Sequence, residues 1–150
     1  MTLDCEEPFA GAAARVVATR AEEVFEHSRG VLDAGDPAPV HDMRVATRRL
    51  RAAMEVFAPC FPRKRYRRAL KDVKALADAL GARRDRDVEI GLLERLADGV
   101  EPGDREAVAA MVAGLGEERA RAVAALAPFV AEERLAKLRR RLAKLVERAA

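Results

Sequence analysis

Residues 40–57 read Val40-His41-Asp42-Met43-Arg44-Val45-Ala46-Thr47-Arg48-Arg49-Leu50-Arg51-Ala52-Ala53-Met54-Glu55-Val56-Phe57. Wound at about 3.6 residues per turn, this stretch gathers Met43, Ala46, Leu50, Met54 and Phe57 on one side. His41, Arg44, Arg48 and Arg51 fall in a narrow arc on the other. One face suits a core and one is cationic, and no two-residue alternation competes, so the stretch is predicted to be an amphipathic helix.

The same spacing continues on both sides of it. Upstream, Phe9, Ala13, Val16, Val17, Val24 and Val31 predict a first helix over about Pro8–Ala34, stopped by Gly35. Asp36-Pro37 reads as the start of the second helix, because Asp can accept from free amides and Pro is tolerated at a helix start. That helix reaches Phe57 or Ala58, and Pro59-Cys60-Phe61-Pro62 breaks it. A third is predicted from about Arg63 to Leu80, ended by Gly81. A short fourth begins near Asp87, and Glu101-Pro102-Gly103 separates it from a longer fifth. In the fifth, Val108, Met111, Val112, Leu115, Leu126 and Phe129 share a face despite Gly114 and Gly116. Leu135, Leu138, Leu142 and Leu145 define a sixth. Short links between long helices imply an all-α, antiparallel bundle of about six helices, one domain over residues 1–150.

Composition agrees. Half of the 150 residues are apolar while aromatics make up 4% and Trp is absent, so the core must come from Ala, Leu and Val, a mixture that favours helices. Cys5 and Cys60 match no metal-ligand spacing and are too few for a disulfide framework, which points to a reducing compartment. The acidic N-terminus does not resemble a secretory signal, and no uncharged run is long enough for a membrane span. A soluble, cytoplasmic protein with no cofactor or metal is expected.

The net charge of +3 conceals an uneven distribution. Residues 41–86 hold 14 of the 28 Lys and Arg against five acids, 14 − 5 = +9, leaving 14 − 20 = −6 elsewhere. In the third helix Lys64, Arg67, Lys71 and Lys74 align opposite Tyr66, Leu70, Val73, Ala77 and Leu80, giving a second cationic row. Few acids interrupt either row before Glu55 and Asp78, so like charges stack and repel. A repulsion that local sequence does not offset is expected where a ligand supplies the anion. Arginine's planar fork matches phosphate geometry.

His41, at the head of the first row, either donates to a phosphate or orients the helix start, and His27 has no supporting neighbours. On the last helix Arg134, Lys137, Arg141, Lys144 and Arg148 flank the leucines, where cations ordinarily lie along a packed seam. Arg20 and Arg119 sit among apolar residues and need a carboxylate partner, a route to the bundle edge or a channel.

Two blocks, Val40-His41-Asp42-Met43-Arg44-Val45-Ala46-Thr47-Arg48-Arg49-Leu50-Arg51 and Leu80-Gly81-Ala82-Arg83-Arg84-Asp85-Arg86-Asp87-Val88, resemble the CHAD domain, the conserved histidine α-helical domain. The resemblance is strongest over residues 8–100, with 101–150 reading as a helical hairpin added to it. It implies a helical bundle whose basic face binds inorganic polyphosphate without catalysis, with family members on polyphosphate granules. By position His41, Arg44, Arg48 and Arg51 look like its first ligand row and Arg65, Arg68, Lys71 and Lys74 like its second, and Arg49, Lys64 and Arg67 complete the binding set expected here. Arg20, Arg83, Arg84, Arg119 and Arg141 are further candidates. Asp85 or Asp87 reads as a cap for the next helix. Full-length members resemble two related halves, whereas residues 100–150 contain no histidine; pairing of two chains about a twofold axis would supply the missing half.

Other readings use the same charge. Nucleic acid would also engage cation rows, but no aromatic is interleaved with the arginines for stacking on bases. A structural module docking an acidic protein needs only the basic face. A phosphohydrolase, or an accessory domain of one, would need carboxylates to hold a metal, and the basic region is poor in them.

Overall fold

The computed structural model describes residues 8–149, and Cys5 lies outside the described residues. Among the described residues there are five α-helices: α1 (Phe9–Glu26), α2 (Ala38–Val56), α3 (Arg63–Ala97), α4 (Arg105–Val130) and α5 (Glu132–Val146). No strand occurs among the described residues, so the protein is an all-α helical bundle. Each helix packs on the next, and α5 returns to lie against both α1 and α3.

The core follows the apolar stripes. Val17 and Val24 of α1, Met43, Leu50 and Met54 of α2, Val73, Leu76 and Leu80 of α3, Leu126 of α4, and Leu138, Leu142 and Leu145 of α5 are all buried in one cluster. Each such aliphatic side chain withdrawn from water contributes roughly 1.5–3 kcal/mol. Thr47, also buried, donates its hydroxyl to the Met43 carbonyl 2.7 Å away, so the helix interior itself satisfies it.

Two boundaries differ from the sequence expectation. α1 stops at Glu26, eight residues before Ala34, and the chain turns through Gly30 at φ +73°. Only glycine adopts that conformation without steric cost, and it lets Val31 drop into the core as an anchor. Asp36 then accepts the Ala38 amide at 2.9 Å, so the helix-start reading holds, with α2 beginning at Ala38.

The larger correction is at Gly81. α3 passes through it and runs unbroken for 35 residues, roughly 52 Å, so the expected third and fourth helices are one and the count is five, not six. Gly81 keeps a right-handed helical backbone and so does not adopt the left-handed conformation through which a glycine stops a helix. Flanked by Ala79, Leu80, Ala82 and Arg83, it costs about 1 kcal/mol, which packing against α4 offsets. Asp85 and Asp87 both lie inside α3, so neither caps a helix. Asp87 stands in the last third of α3, buried, and pairs with Arg83 four residues earlier.

Candidate functional site

α3 begins with five cations in six residues, Arg63, Lys64, Arg65, Arg67 and Arg68, all exposed. No acidic residue occupies its first turn and no side chain caps it. Free amides and the positive end of the helix dipole therefore coincide with a cluster of positive side chains, an arrangement that repels itself and attracts an anion.

α5 lies beside this end and doubles the charge. Lys137, Arg140, Arg141 and Lys144, spaced by three and four on α5, face Lys64, Arg65 and Arg68 across a cleft of about 450 Å³. All seven lining residues are lysine or arginine. The neighbouring carboxylate is Asp72, engaged by Arg141 and within 4.0 Å of Arg134. That contact ties α5 to α3 and holds the cleft walls in register. Arg139, on the flank of α5, stacks its guanidinium 4.5 Å from the Phe25 ring centre and pairs with Glu22 at 3.1 Å, which fixes the helix against α1.

Arg44, Arg48 and Arg51 line a second cleft of about 450 Å³ between α2 and α3, with Ala77, Asp78, Gly81, Ala82 and Asp85 opposite. Two carboxylates therefore share this space with three guanidinium groups. Glu55 further draws Arg51 to 3.6 Å and Lys74 to 3.8 Å. His41 and Arg49 stand apart from that row. They line a third cleft of about 440 Å³ with Glu23, His27 and Asp42, on the side of α2 that faces α1. Arg67 and Lys71 are exposed on α3 and line none of these three clefts.

The further candidates divide. Arg141 belongs to the seven-cation cleft, and Arg84 is half-buried on α3. Arg20 is held by Glu23, whose hydrogen bond and charge push its guanidinium above its ordinary value. Arg83 is wholly buried: its Nη1 meets Asp87, and its Nη2 donates to the Asp33 carbonyl at 3.1 Å. Arg119 reaches the same Asp87 from α4 at 3.7 Å. These three cations are occupied by the protein's own acids and carbonyls.

Arg140, the residue absent from the sequence-based set, shares the cleft with Lys137 and Lys144, which had read as cations along a packed seam. Their three-and-four spacing is visible in the sequence; that α3 presents its cation-rich first turns to them is a tertiary fact. Among the described residues no group of three or more His, Cys, Asp or Glu is placed to hold a metal ion. No helix among them is long and apolar enough to cross a membrane.

The family model described as CHAD domain matches residues 15–150, so α4 and α5 fall inside the match. No curated protein shows significant similarity to the chain.

Proposed function

The chain belongs to the CHAD domain family, and from that premise we propose that it is a non-catalytic binding module for inorganic polyphosphate, seated first in the cleft between α3 and α5. The observation that carries this reading is the lining of that cleft by seven cations and nothing else. Phosphate oxygens arriving there meet bidentate guanidinium donors from Arg65, Arg68 and Arg140 and point charges from Lys64, Lys137 and Lys144. They also meet the positive end of α3, whose amides lack a side-chain cap. Binding relieves the mutual repulsion of the cluster, so affinity and stability are gained together.

From the cleft, exposed Lys71 and Lys74 lead along α3 toward Arg51, Arg48 and Arg44. A linear polyanion following that face would engage both clefts, which favours a long chain over an isolated phosphate. Arg67 extends the exposed row of Lys71 and Lys74 on α3, whereas His41 and Arg49 open on the α1 side of α2, away from that path. Granule targeting follows from this reading as a consequence of binding.

A fluorescence titration with long-chain polyphosphate tests it. Arg65→Glu/Arg68→Glu/Arg140→Glu is expected to abolish binding, and Arg44→Glu/Arg48→Glu to weaken it while leaving the helical signal intact. Transfer RNA at equal phosphate concentration is expected to compete poorly, since no aromatic lines the cleft. Unchanged affinity in the triple variant, or displacement by transfer RNA, overturns the assignment. Sustained phosphate release from polyphosphate in magnesium would show an enzyme instead.

A further inference from the structure

The core cluster takes residues of α3 only as far as Leu80 and residues of α4 only from Leu126. Between those points, α3 and α4 form an arm of two helices whose buried interior is Arg83, Asp87, Ile90 and Val108. A pair of helices has no third layer to cover its outer faces, and this pair leaves apolar residues in water. Val88, Leu92 and Leu96, four residues apart on one stripe of α3, are 50%, 58% and 54% exposed, and Met111 of α4 is 58% exposed. The stripe lies beyond Ala77 and Gly81, where α2 packs, so it continues a packing face after its partner helix has ended. On α4, Ala107 to Gly116 contains no charged residue.

Charge is arranged around the stripe unequally. Toward the tip, residues 94–106 hold five acids, Glu94, Asp98, Glu101, Asp104 and Glu106, against Arg95 and Arg105, 2 − 5 = −3. All seven are exposed and none is ion-paired within the described chain. At the root of the arm, Arg44 and Arg48 line the α2–α3 cleft together with Asp78 and Asp85, and Arg84 lies on the next turn, so the balance of these five is 3 − 2 = +1. Leu92 stands near the midpoint between root and tip. Two copies of α3 laid antiparallel and crossing at Leu92 would set Val88 against the partner's Leu96, and each acidic tip against the partner's cationic root. Both contacts occur twice, as a closed twofold requires.

We propose that the α3–α4 arm is a homodimer surface in which a second copy of this chain covers Val88, Leu92 and Leu96, forming a four-helix bundle about a twofold axis near Leu92. Self-complementarity selects this occupant: the stripe is apolar through its centre and opposite in charge at its two ends, so an inverted copy of itself satisfies it.

The inference does not rest on the polyphosphate reading, and its test uses no polyanion. Sedimentation velocity on the wild type is expected to give a dimer in the micromolar range. Leu92→Glu is expected to give a monomer of unchanged helical circular dichroism, since the side chain already stands in solvent. In a Cys5→Ser background, Leu92→Cys is expected to form a disulfide-linked dimer under mild oxidation, because a residue on the axis meets its own copy. Val88→Cys is expected to cross-link only when mixed with Leu96→Cys. Glu101→Lys/Asp104→Lys is expected to weaken the dimer, and adding Arg44→Glu/Arg48→Glu to restore it. A wild type that stays monomeric at the highest soluble concentration overturns the proposal. A dimer that survives Leu92→Glu, or an open series of larger species, does the same.

Discussion

Asp87 is the residue on which most depends for its size. It lies between Arg83, fully enclosed, and Arg119 of α4, so one carboxylate balances two guanidinium groups in the interior of the arm. Arg83 Nε has no acceptor, which leaves that side chain reliant on Asp87 and the Asp33 carbonyl. Asp87→Ala is expected to lower stability by about 3–5 kcal/mol, the cost of stranding a buried charge. Arg83→Met/Asp87→Leu, which removes the charge pair together, is expected to recover most of that; thermal melts followed by circular dichroism decide it. Tyr66 offers a second test at this scale. Partial burial, and next the charge of Glu55, push its phenol above the ordinary tyrosine value. The folded protein thus holds this proton longer than the unfolded chain does. The resulting stabilisation is present below about pH 10 and is lost as pH rises through the folded value. As the single tyrosine in a chain without tryptophan, it can be titrated by ultraviolet absorbance, and a midpoint at or below the free phenol's would contradict this environment.

Among the elements, α3 organises the molecule. Its first half presents cations to α2 and α5, its middle supplies Val73, Leu76 and Leu80 to the core, and its tail pairs with α4. That continuity requires Gly81 to be an ordinary helical position. A Cβ added there meets nothing within 4 Å, so Gly81→Ala is expected to stabilise the protein by about 0.5–1 kcal/mol in chemical denaturation. A loss of stability would instead mean that glycine is needed for a break. The sequence pattern suggested such a break because glycine is a common stop signal, yet Gly81 keeps right-handed helical angles; among the described glycines Gly30 alone turns left-handed, in the turn beyond the α1 cap at His27. α5 shows the converse case. Its leucine stripe was legible from spacing and buries Leu138, Leu142 and Leu145 as expected, while the partner of its basic flank was not legible.

For the whole molecule, the proposed seating of a phosphate polymer in the α3–α5 cleft predicts binding that depends on salt, because each phosphate neutralised by a cation releases counterions. The logarithm of the association constant is expected to fall linearly with the logarithm of salt concentration, and the triple variant of the α3–α5 cleft to flatten that slope. A slope insensitive to those three arginines would place the binding surface elsewhere. Periodicity and composition alone determined the helical class, the apolar faces that form the core and the basic bias of residues 41–86, because a helix's faces follow from residue spacing within one segment; the family resemblance came from the motifs at 40–51 and 80–88. Which cations share a cleft was decided by tertiary structure: Arg140 joins Arg65 across α5 and α3, His41 parts from Arg44, and Arg83 turns inward to Asp87. The reason is physical. Spacing states the direction of a side chain relative to its own helix axis, and only the packing of one axis against another states what that direction meets.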